Sequence, residues 1–270
     1  MNEEFTHTIF GSTGKKVFRL GLSATYRPSR EAIHKAIDEG VNFFFCYGFD
    51  SNVTKTLRDL PKSKRDSFVI ATGAYNLIIG HLNIRRTLEK RLRQLGTDYI
   101  DTFLFLGVNK EKQFPEKVRE EMYRLREEGK IRAVGMSCHD RKFAGRLAAE
   151  GALDALMVRY NAAHRGAEQD IFPYLHLNDP GLISYTATRW SYLIRRHKGW
   201  PKDRPIPTAG MCYRFVLSNP NVDVCLTAPS NEKHFSENLA AVRQGPLSSD
   251  EMAFMREYGD LVHSKKNWFM

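Results

Sequence analysis

Cysteine is scarce in this 270-residue sequence, which contains only four, and no two of them form a C-x-x-C pair. Cys46, Cys138, Cys212 and Cys225 lie far apart along the chain. This spacing argues against a disulfide framework and against a structural zinc site. We therefore expect reduced thiols and no bound metal.

Long apolar runs are also missing, since nowhere do about 18 apolar residues follow one another, as a membrane-spanning helix requires. The beginning, "MNEEFTHTIF", has neither the basic region nor the apolar region of a secretory signal. The sequence therefore predicts a cytosolic protein without a membrane span.

Acidic residues are fewer than basic ones, 31 against 41, which leaves a formal charge of +10. Such a balance favours anionic partners such as phosphates, nucleic acid or acidic surfaces. The basic residues, however, alternate with acidic ones in "RRTLEKRLRQL" and "REEMYRLREEGKIR", as on solvated helix faces. We therefore expect ordinary exposed charge and no nucleic-acid partner.

Short apolar runs alternate with helical patterns from residue 18 onward, which is typical of a parallel sheet with crossover helices. The runs are nearly continuous, as in strands that are covered on both faces. Eight strands are predicted, over residues 18–24, 41–45, 68–72, 99–106, 133–137, 155–160, 181–186 and 222–228. The count favours a closed (β/α)8 TIM barrel of class α/β, in one domain over residues 1–270, with an open doubly wound sheet as the alternative.

Amphipathic segments between the runs predict the helices. In "NIRRTLEKRLRQLG", Ile84, Leu88, Leu92 and Leu95 form a single apolar stripe, and Gly96 ends the helix.

Cap residues and two flanking elements complete the pattern. Ser29 begins "PSREAIHKAIDEG" as an N-cap, and Asn231 can cap "SNEKHFSENLAAV" in the same way. "THTIFGSTGKKVFRL" predicts an N-terminal hairpin that turns at "GSTG" and covers the barrel floor. A last helix is expected near "SSDEMAFMREYGDLVH".

Several stretches, in order along nearly the whole chain, resemble recurrent blocks of the aldo-keto reductase family. These are the N-terminal hairpin, "EAIHKAIDEGVNFF", "LRQLGTDYIDTFLF", "LREEGKIRAVGMSCHD", "RYNAAHRGAE", "YRFVLSNPNVDVCL" and "SNEKHFSENLAAV". The resemblance implies the same barrel, which binds NADP, with NAD also possible, across its C-terminal mouth without a Rossmann glycine fingerprint. Consistently, no G-x-G-x-x-G follows any strand here.

Cofactor contacts follow from the resemblance position by position. Ser137 and Arg159 would meet the carboxamide, and Tyr185, followed by Thr186, would stack on the nicotinamide. Ser230, Asn231 and His234 fall where the family grips the adenosine phosphate, and Glu237 and Asn238 match its adenine contacts. The alternatives are a core aromatic for Tyr185 and an exposed helix face for Glu237 and Asn238. Since positions that are usually basic hold Ala228 or Ser230 and His234, the preference for NADP over NAD stays open.

The catalytic tetrad of the family is not present at the matching positions. Its aspartate becomes Phe45, its lysine becomes Gly73 and its histidine becomes Leu106. The tyrosine position holds Asp50 in an ungapped alignment, or Tyr47 if three residues are deleted. Because an unaided tyrosine has a pKa of about 10, loss of the lysine removes the cation that makes it an efficient proton donor near neutral pH.

Substitute catalysts must come from other strand ends, because that face carries function in barrel enzymes. Tyr47 and His139 are the catalytic candidates, although "CHD" can equally be a turn in which Asp140 caps a helix. His164 and Arg165 are expected to pin a loop by pairing with Glu168 or Asp170.

The long segment 189–205 contains six basic residues and either covers a pyrophosphate or is a solvated loop. Two functions stay open for the whole chain. One is an NAD(P)H-dependent oxidoreductase with a non-standard active site, acting on a small carbonyl substrate. The other is a catalytically inert barrel that senses a nucleotide or binds a protein.

Overall fold

The structure, a computed structural model, describes residues 3–46, 52–77, 80–81 and 83–265. Its strands are β1 (His7–Ile9), β2 (Lys16–Phe18), β3 (Leu20–Ser23), β4 (Phe43–Phe45), β5 (Val69–Leu77), β6 (Gly80–His81), β7 (Ile100–Val108), β8 (Ile131–Cys138), β9 (Ala155–Arg159), β10 (Gly181–Tyr185) and β11 (Val224–Thr227). Its α-helices are α1 (Glu3–Thr6), α2 (Arg30–Asp38), α3 (Asn52–Asp59), α4 (Ile84–Leu95), α5 (Glu116–Glu127), α6 (Arg141–Glu150), α7 (Ala167–Asp170), α8 (Phe172–Leu175), α9 (Ala209–Leu217), α10 (Glu232–Val242) and α11 (Ser249–Ser264).

Eight parallel strands form a closed barrel in the order β4, β3, β11, β10, β9, β8, β7, β5, and the pairing of β4 with β5 closes the ring. All eight correspond to predicted strands, so the barrel is confirmed and the open doubly wound sheet is excluded. The helices surround the sheet, as the amphipathic stripes require. Only the short β6 runs antiparallel to its neighbour, β5, within this sheet of the described chain.

The predicted N-terminal hairpin is present, with β1 antiparallel to β2. Its turn places Phe10 in the barrel interior, where the ring packs edge-to-face on Phe43 with centroids 5.2 Å apart. A Cβ added at Gly181, the first residue of β10, would lie 2.5 Å from the Phe10 ring. The hairpin therefore covers the N-terminal end of the barrel, and the other end holds the open cavity.

Local chemistry explains where the helices begin and end. The side chains of Ser29, Asn83 and Asn231 accept hydrogen bonds from backbone N–H groups in the first turns of α2, α4 and α10. Gly96 ends α4 in the left-handed conformation, with φ of 63°. Asp140 caps α6, which confirms the turn that "CHD" offered as an alternative.

The inward-facing side chains of the barrel form an apolar cluster of their own, separate from the layer between sheet and helices. Alternate residues of β4, β5, β7, β9 and β11 supply most of it, because side chains in a strand point to opposite faces. Its upper members, nearest the C-terminal strand ends, include Phe45, Leu106, Met157 and Leu226, which face the cavity above.

The segment 189–205 folds back on α11, the predicted C-terminal helix. Arg204 makes two hydrogen bonds with the Glu257 carboxylate, at 2.7 and 2.8 Å, and Trp200 packs edge-to-face on Tyr258. The buried Arg189 guanidinium donates to the carbonyl of Val262. Arg189 and Arg204, two of the basic residues of this segment, thus hold it against α11. The segment is therefore not a plain solvated loop.

Candidate active site

A cavity of about 910 Å³ opens at the C-terminal ends of the barrel strands. Its lining includes apolar side chains, among them Phe45, Leu106, Met157, Trp190 and Leu226. It also includes serine, threonine, histidine and asparagine side chains. The cavity therefore offers both apolar surface and hydrogen-bonding groups to a ligand.

Two helices begin at the cavity. Ala209, the first residue of α9, lines it, and the Thr208 hydroxyl caps that helix. At α10, Ser230 precedes the Asn231 cap and His234 follows in the first turn, and both Ser230 and His234 line the cavity. Unpaired N–H groups and the helix dipole make such N-termini favourable for anions.

Tyr185, the last residue of β10, lines the cavity. Burial raises the pKa of its phenol to about 12, while hydrogen bonds with Arg159 and Ser137 act in the opposite direction. The hydroxyl also lies 3.4 Å from Nδ1 of His139. The phenol is therefore protonated near neutral pH and is held by side chains from β8, β9 and the loop that follows β8.

His139 lines the cavity beside Tyr185, and the two rings meet edge-to-face with centroids 6.2 Å apart. Burial lowers the pKa of His139, and the positive charge of Arg159 lowers it further. The imidazole is therefore neutral near pH 7, with one nitrogen as donor and the other as acceptor.

The structure brings most of the predicted site residues to this cavity. Ser137, His139, Tyr185, Thr186, Ser230, His234, Glu237 and Asn238 all line it. Arg159 and Asn231 do not. Arg159 is hydrogen-bonded to Tyr185, and its guanidinium lies 5.4 Å from the Trp190 ring centroid. Asn231 accepts a hydrogen bond from the His234 N–H as a helix cap. Tyr47, the other catalytic candidate, lies outside the described residues.

Glu237 and Asn238 differ in their surroundings. Glu237 is exposed, whereas Asn238 is buried and its amide donates to Thr227 Oγ1 over 3.4 Å. The exposed-face alternative is thus wrong for Asn238. Tyr185 is part-buried and lines the cavity, so it is not simply a core aromatic.

No metal centre is found in the described part of the chain, where no three histidine, cysteine or acidic side chains come together. Cys138 is buried, and its thiol contacts the backbone carbonyl of Asp140. Burial raises the pKa of this thiol to about 12, so it is not a thiolate near neutral pH. In the same part of the chain, no helix is both long enough and apolar enough to cross a membrane.

A family model described as "Aldo/keto reductase family" matches residues 18–204. The chain belongs to the aldo/keto reductase family. Relatives include aldo-keto reductase YhdN of Bacillus subtilis, 27% identical over 98% of this chain and 81% of the relative, and methylglyoxal reductase YeaE of Escherichia coli, 24% identical over 90% and 89%.

Solved structures share the same fold. Aldo-keto reductase AKR11C1 from Bacillus halodurans, in its holo form, aligns with a TM-score of 0.78 at 18% identity, over 94% of this chain and 96% of that one. An aldo/keto reductase from Klebsiella pneumoniae, solved in complex with NADP and acetate, aligns with a TM-score of 0.74 at 22% identity, over 94% and 95%. At 18% and 22% identity, this structural similarity shows that the chains share the barrel fold.

Three positions were predicted from the resemblance to correspond to the family tetrad, and two of them hold apolar side chains that line the cavity. Phe45 is 2% exposed and Leu106 is 4% exposed, and both face the cavity. At Gly73 an added Cβ would lie 2.0 Å from the carbonyl oxygen of Leu104 on the neighbouring strand β7. No side chain fits at this position without a shift of the backbone, so the spacing of β5 and β7 requires glycine here.

The loop after β9 is pinned by different partners from those predicted. Arg165 pairs with Asp260 on α11 at 2.6 Å, and it also donates to the carbonyl of Ala162. Glu168 instead receives Arg256, and Asp170 receives Arg141. The prediction of Glu168 or Asp170 as partner was wrong because Arg256 of α11 and Arg141 of α6 pair with these carboxylates. Asp260, the actual partner of Arg165, is 95 positions away in sequence and is brought near by the packing of α11.

His164 makes no charged pair with these acidic groups. Its ring faces His263 edge-to-face, with centroids 5.6 Å apart. Burial lowers the pKa of His164 to about 3, and Arg159 is the next largest cause. The ring is neutral near pH 7.

Sequence reasoning missed several residues that line the cavity. Tyr75 is one of them, because β5 continues to Leu77, beyond the predicted end at residue 72. The period-two alternation that places position 73 inside the barrel also places position 75 there. Ser23 and Thr25, whose hydroxyls lie 2.8 Å apart, and Tyr213 were missed as well.

Backbone strain is also found in the segment after β10, which forms part of the cavity wall. Arg189, Trp190 and Ser191 have φ of 50°, 51° and 69°, and Thr186 has φ of 60°. Non-glycine residues rarely adopt this conformation, and such strain clusters at functional sites. Trp190 and Ser191 line the cavity, so the strained turn forms part of its wall.

Proposed function

We propose that this chain is an NADP(H)-dependent oxidoreductase of the aldo-keto reductase type, which reduces a small carbonyl compound with a non-standard proton donor. The observation that carries the proposal is the joint placement of Ser137, Tyr185, His234 and Asn238 on one cavity, from β8, β10 and α10. Membership of the family and a neighbour solved with NADP support the choice of cofactor.

The residues present fit a dinucleotide. The phenol ring of Tyr185 offers a flat face for a nicotinamide, and the Ser137 hydroxyl offers a partner for its carboxamide. The N-termini of α9 and α10 suit a pyrophosphate. A 2′-phosphate would meet Ser230 and His234, whose Oγ and Nδ1 atoms lie 3.1 Å apart. Lysine and arginine do not line the cavity among the described residues, which leaves NAD as a competing cofactor.

When bound, the dinucleotide supplies a hydride. The residues of the protein must exclude water and donate a proton to the carbonyl oxygen. Phe45 and Leu106 exclude water from the substrate end of the cavity. A hydrogen bond from the Tyr185 hydroxyl to Nδ1 of His139 leaves the His139 proton on Nε2. We take Nε2–H as the donor to the developing alkoxide oxygen, while the Tyr185 hydroxyl passes its proton to Nδ1 in the same step. The phenolate that this leaves is hydrogen-bonded by Arg159, and it takes a proton back from water before the next turnover. Tyr47 stays a second candidate donor.

Titration of the purified protein with NADPH, followed by nicotinamide fluorescence, tests cofactor binding. Saturable binding is expected, and the proposal fails if neither NADPH nor NADH binds at millimolar concentration. Turnover is then measured with short aldehydes, ketones and dicarbonyls. A loss of 10²-fold or more in kcat is expected for His139→Ala, within the range for a general acid, with Tyr47→Phe as the matched test of the other donor.

A second function is favoured by a different observation. By the resemblance, the aspartate, lysine and histidine of the family tetrad are replaced by Phe45, Gly73 and Leu106. The Leu104 carbonyl leaves no room for a side chain at position 73. Such a barrel can bind a nucleotide and act as a sensor or protein-binding module without turnover. Sustained oxidation of NADPH that depends on a carbonyl substrate and is abolished by His139→Ala or Tyr47→Phe would exclude it.

A cytosolic location and the absence of a nucleic-acid partner stay predictions from composition. Binding to nucleic acid would show a steep dependence on salt, which an electrophoretic shift at two ionic strengths measures.

A further inference from the structure

Arg159 occupies a distinctive place beside the cavity. It is the last residue of β9 and pairs in register with Tyr185 on β10. It hydrogen-bonds to the Tyr185 phenol, and its guanidinium lies over the Trp190 ring. The cation is thus fixed between two aromatic side chains at the edge of the proposed nicotinamide subsite.

The charge of Arg159 is felt by the titratable groups around this subsite. Burial is the main cause of the lowered pKa of His139 and of His164, and Arg159 is the next. Burial lowers the pKa of Arg189, and Arg159 lowers it further; Arg159 also opposes the rise in the pKa of Tyr185 that burial causes. Because His139 and His164 are neutral near pH 7, the positive potential around this subsite comes from Arg159 and Arg189.

We propose that Arg159 makes the site select the reduced dinucleotide, NADPH, over the oxidised form, NADP⁺. The inference rests on the proposed cofactor site. The two forms carry the same phosphates and adenosine, but the nicotinamide ring is neutral when reduced and cationic when oxidised. A ring stacked on Tyr185 would lie within several ångströms of the guanidinium. At that distance a fixed cation in a partly buried site disfavours a second cation by about tenfold or more in affinity.

The selection has a consequence for the chemistry. A tenfold preference for the reduced form raises the potential of a bound two-electron couple by about 30 mV. Bound NADPH is then a weaker hydride donor than free NADPH.

Isothermal titration calorimetry with NADPH, NADP⁺ and adenosine 2′,5′-bisphosphate tests the inference at pH 7.5. For the wild-type protein we expect NADP⁺ to bind about tenfold more weakly than NADPH. Arg159→Gln keeps a hydrogen-bonding side chain without charge, and it should bring the two dissociation constants to within about twofold of each other. Arg159→Lys should keep the preference. The bisphosphate, which has no nicotinamide, should bind alike to the wild type and Arg159→Gln.

Lys90→Gln, which removes an exposed charge from α4, is the control for a general effect of net charge and should leave the ratio unchanged. Equal binding of NADPH and NADP⁺ by the wild type overturns the inference but leaves the proposed function in place. An unchanged ratio in Arg159→Gln that is folded by circular dichroism overturns it as well. If no dinucleotide binds, the proposed function itself fails.

Discussion

The hydroxyl of Tyr185 lies 3.4 Å from Nδ1 of His139, which joins the ends of two strands that are not neighbours in the sheet. Tyr185 ends β10 and His139 follows β8, with β9 between them. Burial holds both groups in their neutral forms near pH 7, the phenol through a raised pKa and the imidazole through a lowered one. The contact therefore places the planar phenol ring of Tyr185 next to a neutral imidazole at the wall of the cavity. The proposed chemistry uses the ring for stacking and the imidazole for proton transfer.

Tyr185 should contribute to dinucleotide binding mainly through its ring. Tyr185→Phe keeps the flat face and should change the Kd for NADPH by no more than about threefold, whereas Tyr185→Leu should weaken binding about tenfold because base stacking on an aromatic is lost. Fluorescence titration measures both. Similar affinities for the Leu and Phe variants would contradict stacking.

The first turn of α10 should decide between NADPH and NADH. His234→Arg places a permanent cation beside Ser230, and it should tighten NADPH binding about tenfold through a charge-assisted contact with the 2′-phosphate. NADH binding should change little, and raised salt should remove the gain. The measurement is the ratio of the two Kd values at 50 and 300 mM salt. A gain that is the same for NADH would place the effect elsewhere than on the 2′-phosphate.

Gly73 should tolerate no side chain. Gly73→Ala would drive a Cβ against the Leu104 carbonyl and should lower the free energy of unfolding by about 3 kcal/mol or more. Gly14→Ala is the matched control. Its Cβ meets nothing within 4 Å but its φ is 70°, so only the conformational strain of about 1 kcal/mol is expected. Urea unfolding compares the two variants, and equal losses would show that strand β7 can move aside.

Asp223 should make folding stability depend on pH. Burial raises the pKa of its carboxyl to about 7, and the carboxyl accepts a hydrogen bond from the Leu182 N–H at 2.7 Å. The folded state thus binds a proton between about pH 4 and pH 7 that the unfolded state has released, so stability falls as pH rises through this window.

Asp223→Asn keeps the acceptor and carries no charge at any pH. The variant should match the wild type near pH 4 and be more stable at pH 8, by an amount on the order of 2 kcal/mol. Unfolding by urea at pH 4, 6 and 8 gives the difference. A constant difference across this range would show that Asp223 does not titrate in the folded protein in this window.

Much of the architecture could be predicted from local patterns. The apolar stripe of α4, the Ser29 and Asn231 caps and the αL end at Gly96 depend on residues within one or two turns of each other, and the structure confirms them. Strand ends were less accurate. β5 runs five residues beyond its predicted end, and Tyr75 was missed for that reason.

Most of the candidate site was predicted through resemblance, which placed Ser137, Tyr185, His234 and Asn238 correctly on the rim of one cavity. Their role in cofactor binding stays a prediction. Partners across the fold could not be predicted. Arg165 has two acidic neighbours within five positions of sequence, yet its partner is Asp260, which only the packing of α11 brings near.

The sequence by itself determined that eight apolar strands alternate with amphipathic helices, and it predicts that Phe45, Gly73 and Leu106 stand at three positions of the family tetrad. These properties follow from residue type and from the spacing of apolar residues along the chain. Only the tertiary structure decided that Gly73 meets the Leu104 carbonyl and that Arg159 stands beside Tyr185. Contacts of this kind exist only once the strands are paired in register and the barrel is closed, because closure is what brings distant strand ends within a few ångströms of each other.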